Sequence, residues 1–429
     1  MNENTNGRHI GGREESAPAP SAKALFGTAA RAVCASVGDA LPDGISGDER
    51  LRRLGGATQQ LAEEERAVLR GVVDRLAGYG LDLGASDVDF GGHGGGGQVW
   101  YRVDGRKEGH EEVGTYTAVE ADALILNLLS ESQQDELLET GGVHFSHRVE
   151  GADGTGRRFR ATVYAERSRA ALNLRAIPDE IRPLGSLGFH PAIQRGLMFQ
   201  HVRNGLTLIT GVTGTGKSTT LDAIIDANNE AFPGHIVVIA DPVEYVHTPK
   251  NCLMRHREVG RDVPTYKAGI TQALRQDPDM VVIGELRDPE TIMAALEITD
   301  SGHRVFSTLH TPSATETIDR IVAEMPSAEQ ERVRHRLADV LQGVVSQKLL
   351  PKPDGGRVLA KEVLWVDSGA RAAIQNDNVR EIYQMMWQGG DRGQITLEQD
   401  LHRLVRKGTV EAETALDFAN NTSRLRRLL

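Results

Sequence analysis

This sequence predicts an α/β fold: a mostly parallel sheet flanked by helices, with a smaller α+β domain ahead of it. Three observations carry that expectation. From Leu206 onward, short apolar runs alternate with helical patterns, the rhythm of strands joined by crossover helices. One run leads into Gly211-Val-Thr-Gly-Thr-Gly-Lys-Ser218, the G-x-x-x-x-G-K-[ST] form of a phosphate-binding loop. Acidic and histidine-bearing segments close the later runs, at the strand ends where α/β sheets place ligand sites.

The elements are taken in chain order. Residues 1–60 read as an extension. Met1–Lys23 is polar, carries an Ala-Pro-Ala-Pro stretch and is expected to be disordered. Helical patterns follow near Ala24–Asp39 and Leu61–Gly78, the second with Leu61, Val68, Val72, Val73 and Leu76 on one side. Residues 61–182 form the first domain, β-rich from about Ser86. Val99–Val103 reads as a strand before an Asp104-Gly105 turn. The glycine run Gly91–Gly97 reads as a flexible hairpin tip, since no helix follows it and no basic residue interrupts it. Phe145–Val149 and Arg158–Tyr164 read as strands joined by a Gly-rich turn, and Asp179–Gly188 as a linker.

Residues 188–429 form the second domain. Its strands are Leu206–Thr210, Ile236–Ala240, Met280–Gly284 and Arg304–Leu309. Asp288-Pro289 starts a helix, with Asp as cap and Pro in the first turn, and Gly302 ends it. Ser327–Gln330 reads as a capping box for a helix running to about Leu350, and residues 330–429 as mainly helical.

Bulk properties narrow the function. A chain of 429 residues, 39% hydrophobic and 25% charged, has room for two or three domains of ordinary soluble character. A net charge of -11 argues against a general nucleic-acid binder. Cys34 and Cys252 stand apart with no C-x-x-C partner, which fits a reducing cytoplasm and excludes a zinc ribbon. No signal-peptide pattern opens the chain, and no apolar run approaches the ~18 residues that span a bilayer. Any membrane association is therefore expected to be peripheral and through partners.

The loop has a job for each fixed position. Gly211, Gly214 and Gly216 let the backbone wrap closely and aim N–H groups at phosphate oxygens, with Thr213, Thr215 and Thr219 completing the cradle. Lys217 can bridge the β- and γ-phosphates of ATP, and the Ser218 hydroxyl can ligate Mg²⁺. A helix over Ser218–Asn229 would turn its N-terminal dipole to the triphosphate. Beyond the loop, Asp241-Pro-Val-Glu244-Tyr245 follows one strand. The apolar strand ending in Gly284-Glu285 resembles a Walker B element. Glu285 could orient or deprotonate the attacking water, and Asp241 and Glu285 join Ser218 as candidate Mg²⁺ ligands. Glu244 is a further catalytic candidate. His310 closes the next strand, where it could sense the γ-phosphate or couple to a neighbouring carboxylate. Alone it would read as a structural histidine; beside these clusters it reads as functional.

These motifs resemble the secretion and pilus ATPases, and among them the PilT-type pilus-retraction ATPases. The similarity runs from about Leu83 to Leu429. Gly-Ala-Ser-Asp87-Val-Asp89 resembles the start of the family's PAS-like N-terminal domain, and Arg158-Phe-Arg160-Ala-Thr-Val-Tyr164 its strand of interface arginines. Asp241–Glu244 is similar to its Asp box, Gly-Glu285-Leu-Arg-Asp288 to its Walker B, and Thr-Leu-His310-Thr to its His box. Arg257-Glu-Val-Gly260 and Gln272-Ala-Leu-Arg275 also match. The resemblance implies a RecA-like P-loop ATPase domain and homohexamers with ATP held between subunits. It also implies Arg158, Arg160 and Arg175 as candidates carried into a neighbouring subunit's site, and a machine at the inner face of the cytoplasmic membrane with platform or secretion-channel partners.

Two departures keep the function open. Ala240 stands where the family has Glu before Asp-Pro. Gly369–Asn376 keeps only Arg371 and Ile374 of a signature associated with retraction. Pilus retraction leads, a type IVB secretion or conjugation ATPase follows, and a weakly hydrolysing ATP-binding regulator is the alternative from another class.

Overall fold

The computed structural model describes residues 26–42, 44–103, 106–150, 156–177 and 180–429. The expected disordered tail, the Asp104-Gly105 turn and the Gly-rich turn over 151–155 lie outside these. The chain divides into two compact units between Ile177 and Pro178.

The first unit opens with helices Thr28–Gly38, Gly47–Gln59 and Glu63–Asp82. The second of these is hidden in the sequence by Gly55-Gly56, a pair that disfavours helix. Gly55 is there for space: a side-chain carbon would lie 2.6 Å from Oε1 of Gln134. Gln134 is itself buried, donating to the Leu126 carbonyl at 3.0 Å. The strands are β1 (Asp87–Gly91), β2 (Val99–Val103), β3 (Arg106–His110), β4 (Gly142–Glu150), β5 (Gly156–Glu166) and β6 (Arg169–Ala176). They form an antiparallel sheet in the order β3-β2-β1-β6-β5-β4. One face carries Phe159, Ala161, Val163, Leu172 and Leu174 into a core shared with Leu69, Val72, Leu76 and Leu124 of the helices.

Two local features differ from a simple reading of this region. The glycine run does turn between β1 and β2, but it is pinned. One carboxylate oxygen of Glu166 accepts from the amides of His93 (2.7 Å) and Gly94 (3.3 Å), and the Trp100 indole donates to Gly95 at 3.1 Å. The extension is also built in. Its helix Gly47–Gln59 sends Arg50 to Asp122, a fully buried carboxylate that also takes Arg169 at 3.0 Å and the Ala170 amide at 2.9 Å. Each such charge-assisted bond stabilises by roughly 1.5–3 kcal/mol, and a buried Asp122 needs them all.

The second unit is a seven-stranded sheet in the order β13-β12-β7-β11-β10-β8-β9. Its strands are β7 (Gly205–Thr210), β8 (His235–Ala240), β9 (Leu253–Glu258), β10 (Met280–Ile283), β11 (Arg304–Leu309), β12 (Leu341–Pro351) and β13 (Arg357–Trp365). All pair in parallel except the β12–β13 hairpin. Leu206, Leu208, Val237 and Ile239 point to one core, and Ile209, Ile236 and Val238 to the opposite one. Burial on both faces explains why these strands read as continuous apolar runs.

The helix expected to reach Leu350 is corrected: it spans Gln330–Val340, and Leu341–Pro351 is β12. Glu329 holds the helix N-cap position and makes no side-chain cap, so the expected capping box does not form. Val344 and Val345 are both fully buried between β7 and β13, so β12 shows no alternation to set it apart from a buried helix. Gly355 and Gly356, at φ +90° and +73°, supply the left-handed turn that β13 requires. After β13 the chain is helical, with segments Ser368–Gln375, Val379–Gln388, Leu397–Arg406, Ala412–Phe418 and Thr422–Leu428.

Glu362 of β13 is buried, and its carboxylate accepts from the Ala314 amide at 2.7 Å. Burial, reinforced by the charges of Glu398 and Glu316, pushes its pKa up from 4.5 to about 7. A raised acid favours the folded state most below its ordinary range, and that contribution is lost as pH rises through 7. Wild-type protein is expected to lose about 3 kcal/mol between pH 4.5 and pH 8, a loss that Glu362→Gln avoids because the amide keeps the acceptor and drops the charge. Denaturant melts of both proteins at pH 5 and pH 8 check this; parallel pH trends would contradict it.

Candidate active site

Because β7, β8, β10 and β11 run parallel, their C-terminal ends lie along one edge, and each opens into a polar segment. The register sets Thr210 beside Leu309, Ile283 beside Ser307 and Ile239 beside Ile283. This topology gathers the loop 211–218, Asp241–Tyr245, Gly284-Glu285 and His310.

The loop wraps as its glycines permit. Gly211, Gly214 and Gly216 have φ of +142°, +82° and +88°. Gly211 also has no room for a side chain, since a Cβ would lie 2.6 Å from the Gln347 carbonyl of β12. Thr215 is buried and donates to the Val212 carbonyl at 2.8 Å. Thr213, Gly214, Ser218 and Thr219 are exposed at the start of helix Lys217–Ala231. A helix start of this kind is suited to an anion, and the Ser218 hydroxyl to a divalent cation.

Lys217 is nearly buried. Its ammonium donates to the carbonyls of Gly211 (2.7 Å) and Val212 (3.2 Å) and lies 3.4 Å from Nδ1 of His310. Burial pulls its pKa down, while the charges of Glu285 and Glu244 pull it back up. The other nitrogen of His310, Nε2, is 3.4 Å from one oxygen of Glu285. Three strand ends thus deliver a line of Lys217, His310 and Glu285.

Two further contacts hold that line in place. Arg287 pairs closely with the second oxygen of Glu285 and reaches Asp241 at 3.7 Å. The Thr308 hydroxyl donates to the Gly284 carbonyl and the Leu286 amide to the Thr308 carbonyl, at 2.7 and 3.1 Å, lashing the ends of β10 and β11 together. A cleft of about 640 Å³ adjoins Glu285, Arg287, His310, Thr311 and Glu316.

In the first unit, Arg160 and Arg175 are paired across β5 and β6, and Asp87 is paired with Arg175 across β1 and β6. Directly opposed residues share a face, so Arg158, Arg160, Arg175 and Asp87 lie on the face away from Phe159 and Ala161. Asp87 accepts from Arg175 at 2.9 Å, easing the repulsion between opposed cations. Arg158 donates to the Ser146 hydroxyl at 2.6 Å.

Some contributors carry no sequence signal of their own. Arg287 sits inside a motif, but its bridge between Asp241 and Glu285 exists only because β8 and β10 are neighbours. Gln347 donates to Thr220 at 2.7 Å, tying β12 to the helix behind the loop across more than a hundred residues of sequence.

Comparison with known proteins places this chain in a family. Residues 160–424 match the family model described as type II/IV secretion system protein. The chain belongs to that family. Among the family's relatives, the type IV pilus retractation ATPase PilT of Pseudomonas aeruginosa is 40% identical over 297 residues, covering 69% of this chain and 84% of that one. The twitching motility protein of Neisseria gonorrhoeae is 36% identical over 307 residues, covering 71% and 80%. Among solved structures, the pilus retraction motor PilT with bound ADP superposes with a TM-score of 0.73 at 37% identity, covering 83% of this chain and 99% of that one. Among the described residues, no helix is long and apolar enough to cross a membrane.

Proposed function

We propose that this chain is an Mg²⁺-dependent ATPase that powers pilus retraction as a homohexamer at the inner face of the cytoplasmic membrane, acting on a membrane platform partner. The observation that carries the chemistry is the Lys217–His310–Glu285 line at the edge of the parallel sheet. The likeness to two relatives named for pilus retraction and twitching motility supports the retraction reading.

The roles follow from position. The loop amides and Lys217 bind the phosphates. Ser218, Asp241 and Glu285 would hold the Mg²⁺ that accompanies ATP, which offsets phosphate charge. Glu285 takes the proton of the attacking water as the water's oxygen bonds to the γ-phosphorus and the bond to ADP breaks. His310, between Lys217 and Glu285, reports γ-phosphate occupancy to the carboxylate. The charges of Glu285 and, to a lesser degree, Glu244 favour the charged form of Lys217 against its burial. Arg158, Arg160 and Arg175 are proposed to serve a neighbouring subunit's nucleotide. The weakly kept Gly369–Asn376 signature favours a second reading, a type IVB secretion or conjugation motor with the same chemistry.

The test uses a nucleotide-trapped variant, Glu285→Gln, purified with ATP from detergent-solubilised membranes of the native host. Co-purifying pilins and a pilus platform protein are the expected result. Secretion-channel or conjugation components would transfer the assignment to the second reading.

A further inference from the structure

Ala240 ends β8 beside two acidic segments yet offers only a methyl group. The polar group at that spot comes from elsewhere. Tyr266 begins the helix Tyr266–Ala273, which lies close over β8 because Gly269 has no side chain: a carbon there would be 3.0 Å from Ile239. The close approach carries the Tyr266 ring, itself buried, to the sheet edge. A side-chain carbon on Gly284, the residue before Glu285, would lie 3.0 Å from the Tyr266 hydroxyl and 3.4 Å from the Ala240 methyl. The hydroxyl and the methyl therefore flank one narrow slot between the ends of β8 and β10.

The charges around that slot are those of the site. Glu285, Asp241 and Arg287 all act on the phenol, and the Asp241 backbone amide faces its oxygen. Burial, the largest influence, raises the phenol's pKa, so it stays a neutral O–H.

We propose that Tyr266 is a positioning residue for hydrolysis, its hydroxyl fixing the backbone ends that carry Asp241 and Glu285 in the place where the Ala240 side chain offers no polar group. This rests on Glu285 as the group that activates water. The hydroxyl acts through Glu285 and Asp241, and the phosphate-binding loop does not depend on it. Its loss should slow the chemical step and leave nucleotide binding alone.

The test is steady-state ATP hydrolysis by the full chain, with Mg²⁺, alongside nucleotide-affinity and melting measurements. Tyr266→Phe, which removes one oxygen, is expected to lower kcat about tenfold with KM and Tm unchanged, since small misplacements of a catalytic group are costly. Ala240→Gln added to Tyr266→Phe supplies an amide from the other wall of the slot and is expected to recover most of the rate. Wild-type kcat in Tyr266→Phe, a parallel fall in affinity and Tm, or a further loss on adding Ala240→Gln would each overturn the proposal. Glu285→Gln serves as the control. If it is inactive while Tyr266→Phe is fully active, only this proposal falls; if it hydrolyses at the wild-type rate, the Glu285 assignment falls and takes the proposal with it.

Discussion

Lys217→Ala is expected to weaken ATP binding about 100-fold and to remove measurable turnover, as follows from losing charge-assisted bonds of roughly 1.5–3 kcal/mol each. The argument starts from what the ammonium does without ligand. It is held by two loop carbonyls, Gly211 and Val212, in a nearly buried position, with burial opposing its charge. Glu285 and Glu244 sustain that charge from across the site. A buried cation held mainly by neutral carbonyls gains when phosphate oxygens arrive, because phosphate carries the counter-charge that the carbonyls lack. The change to Ala removes the cation and leaves the glycines and the helix terminus in place. Fluorescent-nucleotide titration and phosphate release measure the two effects. Unchanged affinity and turnover would remove the phosphate-binding assignment, and an unchanged melt confirms that the loss is local.

The loop was legible because its spacing is fixed by phosphate geometry, and the helix start at Asp288-Pro289 because a cap acts over three residues: the Asp288 carboxylate does accept from the Thr291 amide at 2.8 Å. The four strands from Leu206 to Leu309 were legible because burial on both faces leaves uninterrupted apolar runs. What failed depends on distant pairing. β12 reads as helix in the sequence because its strand character lies in its neighbours β7 and β13. β9 went unread because Arg255, His256 and Arg257 belong to an edge strand with no apolar run. The glycine tip reads as free in the sequence because the carboxylate that pins it, Glu166, lies more than seventy residues further on. Within the site, residue types and strand-end positions could be read, while the bridge by Arg287 and the slot filled by Tyr266 could not. Both require knowing that the ends of β8 and β10 are neighbours.

Glu285→Gln is expected to bind ATP with near wild-type affinity and to hydrolyse it roughly 10²–10⁴-fold more slowly, the range for removing a positioned general base. The substitution keeps the shape and leaves an amide oxygen able to accept from Arg287 or to face His310, so the strand end should hold. It removes the anion that balances Arg287 and faces the imidazole at 3.4 Å, and with it the only feature of the residue that can draw a proton from water. The pKa of Lys217 is also sustained in part by this carboxylate, so a modest loss of affinity is compatible with the assignment while a loss matching Lys217→Ala is not. Single-turnover measurement with excess protein separates the outcomes, because it reads cleavage without product release. Slow cleavage of fully bound ATP places the base at Glu285. Wild-type cleavage would move it to Glu244, the other carboxylate whose field reaches Lys217, and Glu244→Gln would then be the inactive variant.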